Sequence, residues 1–257
     1  MLATDCHFFL SDCRLLTDGK VQFLSPSREP HMAAPQDVLI ALLAKTDGRD
    51  KLLKAAAGVA RMLFHFTNAK QHETLFKSIS DGRSLMRLVL WTSNVDRMVM
   101  AGSPKDCDTW LTFLRTLFDA LFCVCDNVVY FGKPGVLALK DVNGWVLRGT
   151  RFMFFGFILA VVLDLLALSK AAGVAPSDAT PDEVATFQKK ASAEITKRRL
   201  MLVRNTCDLI ASMNASALIP GLQLSHLVIG FCAFTSGAIA SCENWEATAK
   251  AVSSKAK

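Results

Sequence analysis

From Pro35 onward the apolar positions recur at helical rather than strand spacing, in block after block. Leu39, Leu42, Leu53, Ala57, Ala60 and Phe64 keep to one helical face, with Leu52, Ala56, Val59 and Leu63 beside it. Pro35 suits a first helical position. A second helix is predicted over Gln71–Met100, with Leu75, Ile79, Gly82, Met86, Val89 and Leu90 on one arc and Lys70, Lys77, Arg83 and Arg87 on the other. A third is predicted to start at Ser103-Pro104 and run to Tyr130, rich in Trp110, Phe113, Phe118 and Phe122. A fourth, Trp145–Leu168, has a charge-free core over Phe152–Leu163. After a Gly/Pro/Ser linker at 172–179, Thr180-Pro181-Asp182-Glu183 reads as the cap of a long helix. Leu209–Cys242 then holds no Asp, Glu, Lys or Arg, and Leu218–Cys242 is long and apolar enough to be a membrane span.

This predicts an all-α, membrane-associated helical bundle with amphipathic helices and one or two transmembrane helices. The expected organisation is a disordered extension or mis-assigned start at 1–34, with no secretory signal pattern. An amphipathic helical region follows at 35–136, then a hydrophobic helix at 137–171. A linker and long basic amphipathic helix occupy 172–217, and a C-terminal transmembrane helix with a short tail occupies 218–257.

The small-residue spacing Gly156/Ala160, continued by Asp164, and the stripe Ala233/Gly237/Ser241 fit close helix packing. If Trp145–Leu168 and Leu218–Cys242 form an antiparallel pair, Asp164 and His226 reach comparable depth and are candidate partners. The alternative is that Asp164 snorkels to the interface while His226 faces headgroups.

Composition adds an anionic partner. The chain of 257 residues is 51% hydrophobic and has a net charge of +6, with a mean hydropathy of +0.31. Residues 43–100 hold ten Lys/Arg against five Asp/Glu. No nucleic-acid motif accompanies this excess, so an anionic phospholipid membrane is the expected partner and nucleic acid is not. Lys51, Lys54, Arg61, Lys77, Arg83 and Arg87 are the candidate lipid contacts, although a solvated helix face has the same pattern. The eight cysteines show no zinc or redox spacing and read as free thiols. No nucleophile, P-loop or carboxylate-pair motif is present, so no enzyme activity, cofactor or metal site is expected.

The stretch "TDGRDKLLK", Thr46–Lys54, resembles the N-terminal signature of the peroxin-11 family, whose members elongate and divide peroxisomes. Ser78–Leu88, with its Gly82-Arg83 and Arg87-Leu88, is similar to the family's second amphipathic segment. Cys125–Tyr130 with Gly135 is similar to its Asp-Asn turn region. Trp145, Arg151 and Asp164-Leu165 match its hydrophobic hairpin, and Asn205, Asp208-Leu209, Gly230 and Ser236-Gly237 its C-terminal stretch. Ala57-Gly58 stands where the family commonly has Gln-Tyr, and a glycosomal member is the divergent alternative. The resemblance implies location in the peroxisomal (glycosomal) membrane, self-association and cooperation with the organelle fission machinery. It also implies delivery by the peroxisomal membrane-protein import receptor, for which Lys197, Arg198, Arg199, Leu200, Leu202 and Arg204 are the candidate contacts. Bending and elongating the membrane is the implied function, with a pore or metabolite channel as the alternative.

Overall fold

A computed structural model describes residues 34–171 and 181–255. The expectations for the extension, the 172–179 linker and the Thr180 cap therefore lie outside the described residues. Eight helices are present among the described residues: α1 Pro35–Ala44, α2 Thr46–Thr67, α3 Lys70–Met86, α4 Leu90–Ala101, α5 Cys107–Gly132, α6 Val142–Ala171, α7 Pro181–Ser216 and α8 His226–Lys255. Helices α5, α6, α7, α8 and α2 stand side by side, each antiparallel to the next. Thr150 and Asp164 of α6 bond Ala215 and Asn205 of α7, and Arg61 and Asp47 of α2 bond His226 and Asn244 of α8. Helix α3 folds back over α2 to touch α5 and so closes the row, α4 packs on α5, and α1 packs against α2 and α8.

Three boundaries differ from expectation. The helix predicted over Gln71–Met100 is two helices, with Val89 left-handed between them at φ 58°. A β-branched residue rarely adopts that conformation. Asn127 of α5 holds it there, accepting from the Val89 N–H at 2.9 Å while donating to Arg87 O and Cys123 O. Helix α5 begins at Cys107 rather than Ser103 because Asp106 and Thr109 form a reciprocal capping box. Residues 218–225 are not helical, so the last apolar helix starts at His226 and continues past Cys242 through Glu243, Glu246 and Lys250.

The pairing of the two apolar helices is also corrected. Helix α7 lies between α6 and α8, which do not touch. Asp164 is buried and accepts from Asn205 Nδ2 at 2.6 Å. His226 Nδ1 accepts from Arg61 Nε at 3.2 Å, and its ring meets Phe64 edge-on at 4.9 Å. Asp164 and His226, the candidate partners, therefore do not meet, and Asp164 is buried rather than turned to the interface. Each group takes its partner from the helix that packs beside it.

The tightest packing is between α2 and α8. A Cβ on Gly58 would lie 2.5 Å from Phe234 N and 2.6 Å from Gly230 O, and one on Gly230 would lie 2.8 Å from Gly58 O. The two backbones therefore touch, and any larger residue at 58 would push α8 away. Gly237 packs on Ala55 of α2, whereas Ala233 and Ser241 are half-buried and Ser241 bonds Gly237 O of its own helix. Gly156 rests on Asp119 and Phe118 of α5, and Ala160 is fully buried. The small-residue stripes are thus used within the chain. Replacing Gly58 by Val should lower stability by at least about 1–3 kcal/mol, as overpacking does, while Ala233→Val should cost less. Thermal unfolding of the two variants in detergent compares them directly.

Candidate functional site

The first turns of α2 carry the family-like stretch, and the fold turns its polar side chains inward. Gly48 allows α1 to lie across it, since a Cβ there would meet Leu42 O at 2.3 Å. Asp47 pairs with Lys51 at 3.2 Å and also accepts from Asn244 of α8. Asp50 is buried, and Arg83 Nε of α3 donates to it at 2.9 Å. Arg87, 3.5 Å from Asp50, donates to Asp126 of α5 at 3.0 Å, and Ser84 Oγ donates to the same carboxylate. One turn beyond Asp50, Lys54 donates to Asp208 of α7 at 2.5 Å and to Ser236 Oγ of α8 at 2.7 Å. Asp50 thus ties α2 to α3 and α5, and Lys54 ties it to α7 and α8.

The electrostatics follow from burial. Desolvation pulls the Lys54 ammonium down to about 8, with Asp208 opposing it. Burial alone would push the Asp50 carboxyl up, but Arg83, Lys51 and Arg87 together hold it below the ordinary carboxylate range.

This geometry corrects the expected basic lipid face. Lys54, Arg83 and Arg87 keep only 16–19% of their side chains exposed and face carboxylates of other helices. Asp50 and Lys54, spaced i,i+4 on α2, do not pair with each other, because each finds a partner across the bundle. Arg61 lies over the Phe76 ring at 5.1 Å, and Lys51 is half-buried. Of the six candidates, Lys77 projects outward, 62% exposed and paired with Glu73. The predicted receptor segment is split as well. Lys197, Arg199 and Leu200 are exposed and Leu202 is half-buried, while Arg198 bonds Glu194 and Arg204 bonds Glu243 of α8.

Sequence reasoning assigned no contact between helices to Asp50, Asp126, Asn127, Asn205, Asp208 or Ser236, each of which bonds a group outside its own helix. The signal for them was their place in the quoted motifs: every motif supplies a polar group that bonds a polar group of another. It also left α4 unrecognised as a separate surface helix. There Val99 and Met100 are 73% and 86% exposed, and Val89, Leu90, Trp91 and Val95 are exposed beside them. On α3, Leu75 and Leu85 are exposed and Phe76 alone is buried.

Among the described residues, two helices are long and apolar enough to cross a membrane. The apolar window of α6 has a mean hydropathy of 2.4 and that of α8 of 1.3, and about 20 residues suffice for the hydrocarbon layer. Neither helix is wrapped by the rest of the chain: Phe155, Val162 and Leu165 of α6 and Val228, Phe231 and Phe234 of α8 face outward. The six described cysteines are free thiols. The fold and its surface define an all-helical protein of the membrane type.

The model of the peroxisomal biogenesis factor 11 (PEX11) family matches residues 37–245. The chain belongs to that family and is a peroxisomal membrane protein. It is similar to peroxisomal membrane protein 11B of Homo sapiens, 29% identical over 140 residues, which is 50% of this chain and 53% of that one. It is similar also to peroxisomal membrane protein 11A of Rattus norvegicus, 23% identical over 230 residues, 76% of this chain and 90% of the relative. The match spans about half the length of the 11B relatives. No solved structure matches the chain.

The lowered Asp50 carboxyl has a pH consequence. A carboxyl held down in the folded state contributes stability above its unfolded value, about 3.9, and loses it as the pH falls through the lowered one. Asp50→Asn should cost about 3–5 kcal/mol at neutral pH, because Arg83 loses its buried counter-ion. Its acid profile below about pH 4 should then be flatter than that of the unaltered protein. Denaturant unfolding in neutral detergent across this range, followed by tryptophan fluorescence, tests both points; parallel acid profiles would contradict the assignment.

Proposed function

We propose that this chain shapes the peroxisomal membrane and thereby promotes proliferation and fission of the organelle. The observation that carries the reading is the exposed apolar surface of α3 and α4, attached to a bundle that has two uncovered apolar helices. Helices α6 and α8 anchor the bundle. Leu75 and Leu85 of α3 and Trp91, Val95, Val99 and Met100 of α4 enter one leaflet to about 5–10 Å, and the exposed Lys70 and Lys77 meet anionic headgroups. Shallow insertion spreads the headgroups of that leaflet more than its tails, which favours curvature.

Copies associate through the outward face of α6, because the small-residue stripes are already occupied within the chain. Lys197, Arg199 and Leu200 are the accessible part of the segment proposed for the import receptor, and the curved membrane is the substrate for the fission machinery. Membrane shaping is preferred to a pore because Lys54 bonds Asp208 and Asp164 bonds Asn205 across the interior. These contacts close the bundle rather than line an aqueous path.

Purified protein added to anionic vesicles should draw tubules from them. Val99→Asp with Met100→Asp should abolish tubulation while leaving the fold intact, since both side chains are exposed. Smooth vesicles with the unaltered protein, or equal tubulation by the variant, would overturn the reading. Electron microscopy of the vesicles supplies the readout.

A further inference from the structure

A cavity of about 470 Å³ lies between α5, α6 and α7, near the Lys170 end of α6. That volume falls among small-molecule sites, about 300–1,000 Å³. Five cations from four helices line it: Arg97 of α4, Arg115 of α5, Lys170 of α6, and Arg198 and Arg204 of α7. Three have carboxylate partners: Asp108 for Lys170, Glu194 for Arg198 and Glu243 for Arg204. The other two have none within 4 Å among the described residues. Arg97 donates only to the neutral acceptors Asn94 Oδ1 and Ser93 O, and Arg115 makes no hydrogen bond or ion pair among the described residues. Arg204 is also incompletely satisfied, since its Nε is buried without a hydrogen-bond partner, as is Glu243 Oε1 beside it. Buried donors without acceptors are costly and uncommon.

The carboxylates that line the cavity form no ion pair with Arg97 or Arg115. Asp108 is taken by Lys170, and Asp164 accepts from Asn205. Asp119 has no cation within 4 Å. Burial pushes its carboxyl up, against the opposing pull of Arg115 and Arg97.

We propose that this cavity is a binding site for a phosphate monoester, held by Arg97 and Arg115 and completed by Arg204. A guanidinium presents paired N–H donors that match two phosphate oxygens, so unpaired arginines converging on a cavity select phosphate over a simple point charge. The ligand has two possible sources, the headgroup of an anionic phospholipid or free phosphate. The lipid source rests on α6 lying in the membrane: Val162 and Leu165 are exposed on the same stretch of α6 as the cavity-lining Leu163 and Asp164. That surface offers acyl chains an apolar path beside the cavity, and basic pockets between membrane helices hold lipid headgroups in this way. The site is separate from the α3–α4 surface that meets the leaflet.

The test is calorimetric titration of the full chain in neutral detergent with dioctanoyl phosphatidic acid, dioctanoyl phosphatidylcholine or inorganic phosphate. Saturable binding of phosphatidic acid, with none of phosphatidylcholine, is expected. Arg97→Gln with Arg115→Gln should weaken it about tenfold or more. Arg115→Lys, which keeps the charge but loses the fork, should weaken it less, and Lys70→Gln with Lys77→Gln on α3 should leave it unchanged. Phosphatidic acid binding well ahead of inorganic phosphate assigns the lipid source; equal binding assigns free phosphate, and both support the site. No saturable binding, or unchanged affinity in the arginine double variant with its helical circular dichroism intact, overturns it. Tubulation by the same preparations separates the two readings. Tubules without phosphatidic acid binding overturn the site alone, and binding without tubules overturns membrane shaping alone.

Discussion

The architecture depends on the buried contact between Lys54 and Asp208. One ammonium on α2 bonds a carboxylate of α7 and a hydroxyl of α8, and these are elements far apart in the chain. Taking both charges out of water costs several kcal/mol, and their attraction repays this only when the geometry is good and the remaining hydrogen bonds are made. Such a contact tolerates little sliding. It sets the register at which Gly58 meets Gly230 backbone to backbone, and the glycine crossing in turn brings α8 close enough for Ser236 to complete the Lys54 site. Asp50, one turn earlier, does the same for α3 and α5 through Arg83, Arg87 and Asp126. Two polar side chains on one face of α2 therefore locate four other helices.

This arrangement explains how a chain with two strongly apolar helices also carries a buried polar interior. Helices α6 and α8 are held apart by α7, which offers Asn205 to Asp164 on one side and Asp208 to Lys54 on the other. Ionisable groups on apolar membrane helices are costly unless paired, and α7 supplies the pairing. The outward faces of α6 and α8 are left apolar, and the charge of the N-terminal half is spent largely on internal bonds. Further exposed apolar surface lies on α3 and α4.

Helix content, the two apolar helices and the family were legible in the sequence because each rests on local periodicity or on ordered motifs. The partners of the charged residues were not. Asp50 and Lys54 have the spacing of a favourable i,i+4 pair, and that local signal pointed away from their actual partners across the bundle. Arg83 and Arg87 lie on a helix face that reads as basic and open, but nothing in their own helix shows that Asp50 and Asp126 approach it. The break at Val89 was hidden for the same reason, since its cause is the side chain of Asn127 on α5. Equal depth in the membrane suggested that Asp164 and His226 meet, but depth does not reveal that α7 stands between them.

The most direct measurement of the seam is a double-mutant cycle on Lys54→Met and Asp208→Leu, read as unfolding free energy in neutral detergent. The predicted result is that each single change costs about 3–5 kcal/mol, because it strands one buried charge. The double change, which leaves an apolar pair, should be milder than the sum by more than about 1 kcal/mol. Additive costs, equal to the sum within about 0.5 kcal/mol, would contradict the contact and with it the placement of α7 and α8 around α2.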